Sequence, residues 1–301
     1  MRYQEGRKDF LQVKRRFINW LIPGVGIVAM LCAALLPVVG QAPAEGDAKV
    51  AKGGKGGKGG GKGKAQKKGD PVTRLPDGHV DFGGPGVWGV PYITDMTPYI
   101  KDPAEGGGAP FTAKGKAEWD YNRKTQSATD PEGYCLPPGV PRMMYTPYPM
   151  EMLQLPNRVV FIYEGGAHVW RSIPIGTKEG LKHPADPNPT YLGDSYGWWD
   201  GDSLMIDVVG FNDRTWLDFF GHEHGEKLHV LEKYTRLDSL TLEYTATIED
   251  PEYYTRPWTV TTTATYRPTD TLLEYICQEN QKDTPHLEKI LELEKQGKLP
   301  K

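Results

Sequence analysis

Two segments in the C-terminal third of the chain alternate apolar and polar residues with a period of two. Neighbouring side chains of a β-strand point to opposite faces, so each segment has one face for burial and one for water. Strands of this kind are typical of an antiparallel sheet that is wet on one side. The alternating apolar-face positions are Leu240, Leu242, Tyr244, Ala246 and Ile248 in the first segment and Trp258, Val260, Thr262, Ala264 and Tyr266 in the second.

Further strands are predicted on both sides of short turns. Gly165-Gly166 and Asp200-Gly201 tolerate the backbone conformations that tight hairpins need. Successive hairpins without helices between them predict a mainly β fold, an antiparallel meander that closes into a barrel, with a sandwich as the alternative. The predicted strands are Arg158–Glu164, His168–Pro174, Leu204–Val209, Leu228–Leu237, Leu240–Ile248, Trp258–Tyr266 and Leu272–Cys277.

Only two short peripheral helices are predicted in this part of the chain, at Ala113–Lys124 and His286–Gln296. Residues 70–156 are rich in Pro and Gly, which predicts an extended N-terminal part containing the first of these helices. The β core then covers residues 157–280. A C-terminal helix and tail occupy residues 281–301.

The N-terminal segment predicts a membrane anchor or a signal sequence in residues 17–40. Residues 1–16 contain six Lys or Arg residues and two acids, whereas residues 17–44 contain no charge. The apolar run of 20 residues from Trp20 to Val39 is long enough for one transmembrane helix. We expect residues 1–16 to be cytoplasmic, and we favour an uncleaved anchor over a signal that is removed near Ala44.

Residues 41–69 are predicted to form a flexible linker. Residues 49–69 contain eight Lys residues and no acid, and Gly fills most of the positions between them. Such a segment acts as a solvated tether, or it attracts anionic lipid or an acidic cell-wall polymer. The net charge of the whole chain is −3, so the part after the linker is acidic. This balance argues against a nucleic-acid partner.

The cysteines predict one disulfide. The chain has three Cys residues, and Cys32 lies in the apolar run, which leaves Cys135 and Cys277. Two cysteines in an exported domain favour a disulfide, and two unrelated buried thiols are the alternative.

Four motifs stand out between residues 77 and 280. They are Asp77–Phe82 followed by Gly86–Trp88, Cys135–Arg142, Gly193–Asp202 and Gly221–His229. Together they resemble a large family of uncharacterised exported bacterial proteins with a lipocalin-like β domain, although in this chain Glu223 replaces a Pro of the family pattern. The resemblance covers nearly all of residues 77–280. It implies a lipocalin-like barrel located in the bacterial cell envelope, with the domain in the periplasm or outside the cell.

A histidine-rich segment is the main candidate for chemistry. His222, His224 and His229 lie within eight residues, with Glu226 between them and Glu232 just after. A structural loop with locally hydrogen-bonded histidines is the simplest interpretation. Because imidazole and carboxylate groups are ligands of transition metals, His222, His224, His229 and Glu226 are also candidate ligands of a metal ion, with zinc preferred. The third interpretation is a metal-free acid–base site, with His224, His229 and Glu232 as candidate catalytic residues.

Aromatic and charged residues on the strands suggest a ligand site. The expected function is an envelope-anchored, lipocalin-like protein that binds a hydrophobic or aromatic small molecule. The alternatives are a hydratase, isomerase or hydrolase that uses the histidine cluster, and a structural envelope protein without a ligand. Glu232 and Arg236 share one strand face, but the hairpin register that would place this face inside or outside is open. The candidate ligand-binding residues are Trp198, Trp199, Trp216, Tyr234 and Arg236.

Overall fold

The computed structural model describes residues 69–166 and 169–299. The predicted anchor and nearly all of the predicted linker lie outside these residues. Within the described part, no helix combines the length and the apolar character that crossing a membrane requires. The described residues belong to one compact unit.

Nine strands close into a single barrel, which confirms the predicted mainly β fold and excludes the sandwich. Each strand is hydrogen-bonded to the next along the chain, and the last returns to the first. The strands are β1 (Val87–Gly89), β2 (Met150–Leu155), β3 (Arg158–Tyr163), β4 (Trp170–Gly176), β5 (Asp194–Asp200), β6 (Ser203–Val209), β7 (His229–Arg236), β8 (Thr241–Glu249) and β9 (Trp258–Arg267).

The helices are short and lie outside the barrel wall. Helix α1 (Ala113–Lys124) has the predicted bounds, and Thr112 caps it by accepting a hydrogen bond from the Gly115 amide. Glycine is required at 115, because a Cβ there would lie 2.2 Å from the Tyr253 carbonyl oxygen. Helices α2 (Cys277–Asn280) and α3 (Thr284–Lys295) follow the barrel. Single 3₁₀ turns occur at Thr97–Tyr99, Pro131–Tyr134, Arg142–Met144 and Lys178–Gly180.

One joint of the barrel departs from the predicted antiparallel meander. β4 and β5 are parallel, whereas every other neighbouring pair is antiparallel. An odd number of strands cannot alternate in direction around a closed ring, so one parallel pair is unavoidable. Parallel strands need a crossover connection rather than a hairpin, and residues 177–193 provide it.

Two joints of the barrel are much shorter than the others. β4 and β5 pair only through Ile175↔Gly197 and Gly176↔Trp198, and β1 pairs with β2 only through Trp88↔Met150. By contrast, β7 and β8 are paired over the whole of both strands. The short joints separate a sheet of β2–β4 from a sheet of β5–β9 and β1.

The prediction of a last strand at Leu272–Cys277 was wrong. Leu272–Ile276 form no strand, and Cys277 begins α2 instead. The partner of β9 is β1, in the register Trp88↔Tyr266. β1 has only three residues, too few to show a period of two, so its pattern carried no strand signal.

The predicted alternation of buried and exposed residues is confirmed in β8 and β9. The inward residues of β8 are fully buried, and those of β9 are nearly so. On the outer face, hydroxyl groups pair across the two strands, with 3.0 Å between the Oγ1 atoms of Thr245 and Thr261. The inward residues are Leu242, Tyr244, Ala246 and Ile248 of β8 and Trp258, Val260, Thr262, Ala264 and Tyr266 of β9.

The barrel has two different ends. At the first end, where β2–β3, β5–β6 and β7–β8 turn, the N-terminal segment is held by an ion pair of 2.7 Å between Arg74 and Asp202. At the second end, the segments 90–148 and 210–228 form the connections between strands.

The predicted disulfide is confirmed, with 5.7 Å between the Cα atoms of Cys135 and Cys277. It ties the segment after Pro131–Tyr134 to α2.

Candidate functional site

A groove of about 1070 Å³ lies at the first end of the barrel, beside the parallel joint. Its volume is at the upper end of the range for small-molecule pockets, roughly 300–1,000 Å³. Val159 and Trp199 line it from inward-facing positions, whereas Trp198, Met205 and Leu231 belong to the outer wall. The groove therefore reaches around the narrow β4–β5 joint from the barrel mouth to the outer surface.

The crossover after β4 forms one side of this groove, through Thr177, Lys178, Glu179 and Leu181. The Tyr196 hydroxyl of β5 fixes its start by donating a hydrogen bond of 3.1 Å to the Thr177 carbonyl oxygen. Gly176 makes this contact possible, because a Cβ there would lie 2.0 Å from the Tyr196 hydroxyl oxygen.

The groove combines aromatic surface with negative charge. Trp199 stacks against His79, with 4.5 Å between the ring centroids, so the N-terminal segment contributes to the wall. Lys178 is the one lysine or arginine in the lining. Glu179 and Asp200 are exposed and form no ion pair among the described residues. The four lining carboxylates belong to Asp77, Glu179, Asp200 and Asp207.

A chain of carboxylates and imidazoles crosses the outer wall next to the groove. Both ring nitrogens of His183 contact carboxylates, Nδ1 with Asp194 at 2.6 Å and Nε2 with Asp207 at 2.9 Å. The second oxygen of Asp207 is 2.8 Å from His229 Nε2, and His229 Nδ1 is 3.7 Å from Glu249. Because Asp207 also lines the groove, these contacts hold the crossover in place beside it.

The hydrogen bond to Asp207 raises the pKa of His229. Burial alone would raise the pKa of Asp207, but His229 and His183 outweigh it and the pKa is lowered. The Asp207 carboxylate is therefore ionised near neutral pH and adds to the negative charge of the groove.

The barrel interior contains a buried ion pair. Arg171 Nη2 on β4 donates to Glu232 Oε2 on β7 over 2.6 Å, and both side chains are almost completely buried. The hydroxyls of Tyr234 and Tyr244 each donate to Glu232 Oε1 over 2.9 Å. Burial and then the Glu232 charge raise the pKa of both tyrosines well above the usual value. These three donors thus satisfy the Glu232 carboxylate inside an apolar wall.

The three predicted histidine ligands are not brought together. His222 Nδ1 is 2.8 Å from Asp218 Oδ2, and His224 is held between Thr215 Oγ1 and the Gly225 carbonyl oxygen. His229 lies in the outer chain at Asp207. Among the described residues, the one group of three or more potential ligands with atoms all within 4.8 Å of one another is Asp95, Asp218 and His222. The structure therefore shows no point at which all three histidines could bind one ion or act on one substrate.

Glu226, the fourth predicted metal ligand, is exposed and has no ion pair among the described residues, so it does not join the histidines either.

Of the five candidate ligand-binding residues, Trp198 and Trp199 line the groove. Trp216 is buried in the connection between β6 and β7, and Tyr234 bonds to Glu232 inside the barrel.

The structure resolves the open register of β7, because Glu232 and Arg236 both face inward. They do not pair with each other. Arg236 donates to the carbonyl oxygens of Asp81, Asp238 and Ser239, and its guanidinium lies 5.1 Å from the centroid of Trp88. It therefore fastens the N-terminal segment to the mouth of the barrel.

Sequence reasoning missed Arg171 and His183. Arg171 had a usable signal, because it occupies the same face of its strand as the buried Ile173, where a charge requires a partner. His183 lies in a Pro-rich loop without a neighbouring motif. Its place beside the outer wall follows only from the path of the crossover between β4 and β5.

Burial raises the pKa of Glu223 from 4.5 to about 7, although a hydrogen bond from Asn122 opposes the shift. Between pH about 4.5 and about 7, Glu223 stays protonated in the folded protein but is ionised in the unfolded chain. The resulting stabilisation is complete below pH about 4.5 and is lost as the pH rises through about 7. Between those pH values, we expect the wild type to lose about 2–3 kcal/mol more stability than Glu223→Gln. Urea unfolding across this range measures the difference.

Glu226→Gln, which changes an exposed neighbour, is the control and should follow the wild type. Parallel stability curves for the wild type and Glu223→Gln would contradict the raised pKa.

Comparison with known proteins identifies no relative. No protein-family model, no curated protein and no solved structure matches the chain. The fold and the groove therefore define the protein as a closed nine-stranded β-barrel with a cleft at one end.

Proposed function

We propose that the protein binds a small molecule in the groove at the first end of the barrel. The observation that carries this proposal is the groove itself, a cleft of about 1070 Å³ with two tryptophans in its lining. Concave, largely apolar sites with a few polar groups are the usual form of small-molecule sites, and barrel mouths are a frequent location. A lipocalin-like role on the bacterial envelope is consistent with the apolar run in residues 17–40.

The charge of the lining favours one class of ligand. Four carboxylates against one lysine attract a positively charged group, and the face of an indole ring also attracts cations. The apolar side chains of Leu155, Val159 and Ile175 suit the body of such a molecule. The proposed ligand is therefore an organic amine with an aromatic or apolar body.

Three probes with the same phenylbutyl body test this proposal: 4-phenylbutylammonium, 4-phenylbutanol and 4-phenylbutyrate. Tryptophan fluorescence of the intact chain reports binding. We expect the ammonium probe to bind most tightly and the carboxylate probe most weakly. Glu179→Gln combined with Asp200→Asn should weaken ammonium binding about 30-fold, because each lost carboxylate removes roughly 1 kcal/mol of attraction.

The alcohol should bind equally well to that double variant and to the wild type. Asp186→Asn, in the same crossover but outside the groove lining, is the matched control and should leave all three affinities unchanged. Equal affinity for the three probes would refute the cationic ligand, and no binding of any probe would refute the groove as a site for ligands of this size.

A further inference from the structure

A group of potential metal ligands lies at the second end of the barrel, away from the groove. One ligand atom from each of Asp95, Asp218 and His222 lies within 4.8 Å of the other two. Asp218 and His222 are almost completely buried, and Asp95 is half-buried beside them. The site brings together the loop before Thr97–Tyr99 and the connection between β6 and β7.

The backbone already orients the two buried ligands. Asp218 Oδ1 accepts a hydrogen bond of 3.1 Å from the His222 amide, while Oδ2 accepts one of 2.9 Å from the Met96 amide. Oδ2 is also 2.8 Å from His222 Nδ1. Asp95 Oδ1 accepts from the Thr97 amide over 2.9 Å, which fixes its carboxylate at the edge of the pair.

The Asp218 carboxylate is completely buried, and a buried carboxylate requires hydrogen-bond donors or a cation close to it. The imidazole of His222 and the carboxylate of the half-buried Asp95 lie beside it, so two carboxylates and one imidazole meet at this point.

The spacing fits one small ion after slight movement. Tetrahedral zinc with ligand bonds near 2.1 Å places its ligand atoms about 3.4 Å apart. The contact between Asp218 Oδ2 and His222 Nδ1 would lengthen by about 0.6 Å, and the Asp95 oxygen would move inward by at most about 1.4 Å. One nitrogen and two carboxylate oxygens suit a transition metal, whereas calcium and magnesium prefer oxygen ligands alone.

We propose that Asp95, Asp218 and His222 bind one divalent transition-metal ion, with Zn²⁺ as the best fit. The ion takes the place of the hydrogen between His222 Nδ1 and Asp218 Oδ2. A neutral imidazole then carries its one hydrogen on Nε2, and the ligands are Nδ1 and one oxygen of each carboxylate. The half-buried Asp95 forms the route of entry.

The test is titration of the intact, chelator-treated chain with Zn²⁺, followed by native mass spectrometry and calorimetry. We expect one ion per chain, with an affinity that falls as the pH is lowered because protons compete for the imidazole nitrogen and the carboxylates. Asp95→Asn should weaken binding at least 10-fold. This variant keeps the side-chain oxygen that accepts from the Thr97 amide, so the loop should fold as before.

His229→Gln separates this site from the outer chain of His183, Asp207 and His229, which also contains imidazoles and carboxylates. The proposal expects the same Zn²⁺ affinity in His229→Gln and in the wild type. Loss of binding in His229→Gln, unchanged binding in Asp95→Asn, or no Zn²⁺ bound to the wild type would each overturn it. The phenylbutyl probes should bind equally well with and without chelator, so this proposal and the groove proposal fail independently.

Discussion

Glu232→Gln is expected to lower the free energy of unfolding by about 3–5 kcal/mol, because it leaves Arg171 buried without its countercharge. The substitution keeps the size of the side chain, so the loss reports charge rather than a cavity. The two tyrosine hydroxyls that donate to Glu232 Oε1 can still donate to the amide oxygen. Urea unfolding followed by circular dichroism at neutral pH measures the change.

Glu243→Gln, a partly exposed position on the neighbouring strand β8, should change stability by less than about 0.5 kcal/mol. The double variant Arg171→Met with Glu232→Gln removes both charges but keeps an acceptor for the two tyrosine hydroxyls, and it should recover most of the loss. If Glu232→Gln unfolds at the same urea concentration as the wild type, the buried pair does not stabilise the barrel as described.

Replacing both Cys135 and Cys277 with serine is expected to cost up to about 5 kcal/mol, from the chain entropy of a long closed loop. The two residues are 142 positions apart, and the bond limits the unfolded chain far more than it changes the folded one. The comparison is between the oxidised wild type and the double variant in urea.

Cys32→Ser removes a thiol without touching the bond and should leave the stability of the described domain unchanged. Reduction of the wild type should reproduce the loss seen in the double serine variant. A loss below about 1 kcal/mol would mean that the unfolded chain gains little freedom when the bond is absent.

The barrel could be predicted from sequence where the period of a strand was clear, as in β7, β8 and β9. β2 was missed although it has six residues, because residues 70–156 were expected to be extended and the β core to begin at residue 157. The alternation in residues 240–248 placed the right side chains in the core, and α1 has its predicted bounds. The parallel joint could not be read in this way, because it follows from the number of strands around the ring. β1 escaped notice since three residues show no period.

The candidate sites were less predictable, because they depend on contacts between distant parts of the chain. Trp198 and Trp199 were found as a pair of large aromatics, but the role of His79 in the same groove follows from the path of the N-terminal segment. The cluster of His222, His224 and His229 was misleading for a physical reason. Side chains that are close in sequence point in different directions in an irregular connection. His222 therefore lies beside Asp95 and Asp218, whereas His229 begins β7 and contacts Asp207 on the outer wall.

The two short joints give the barrel a preferred way to open. Separation at β1–β2 and at β4–β5 breaks three register pairs in total and leaves the long ladders within each sheet intact. The ion pair of Arg171 on β4 and Glu232 on β7 joins these two sheets through the interior. The rings of Phe161 and Tyr234, with 5.2 Å between their centroids, also connect the two sheets inside the barrel. Contacts through the interior therefore hold the wall together where the ladders are shortest, and the groove lies along one of these two short joints.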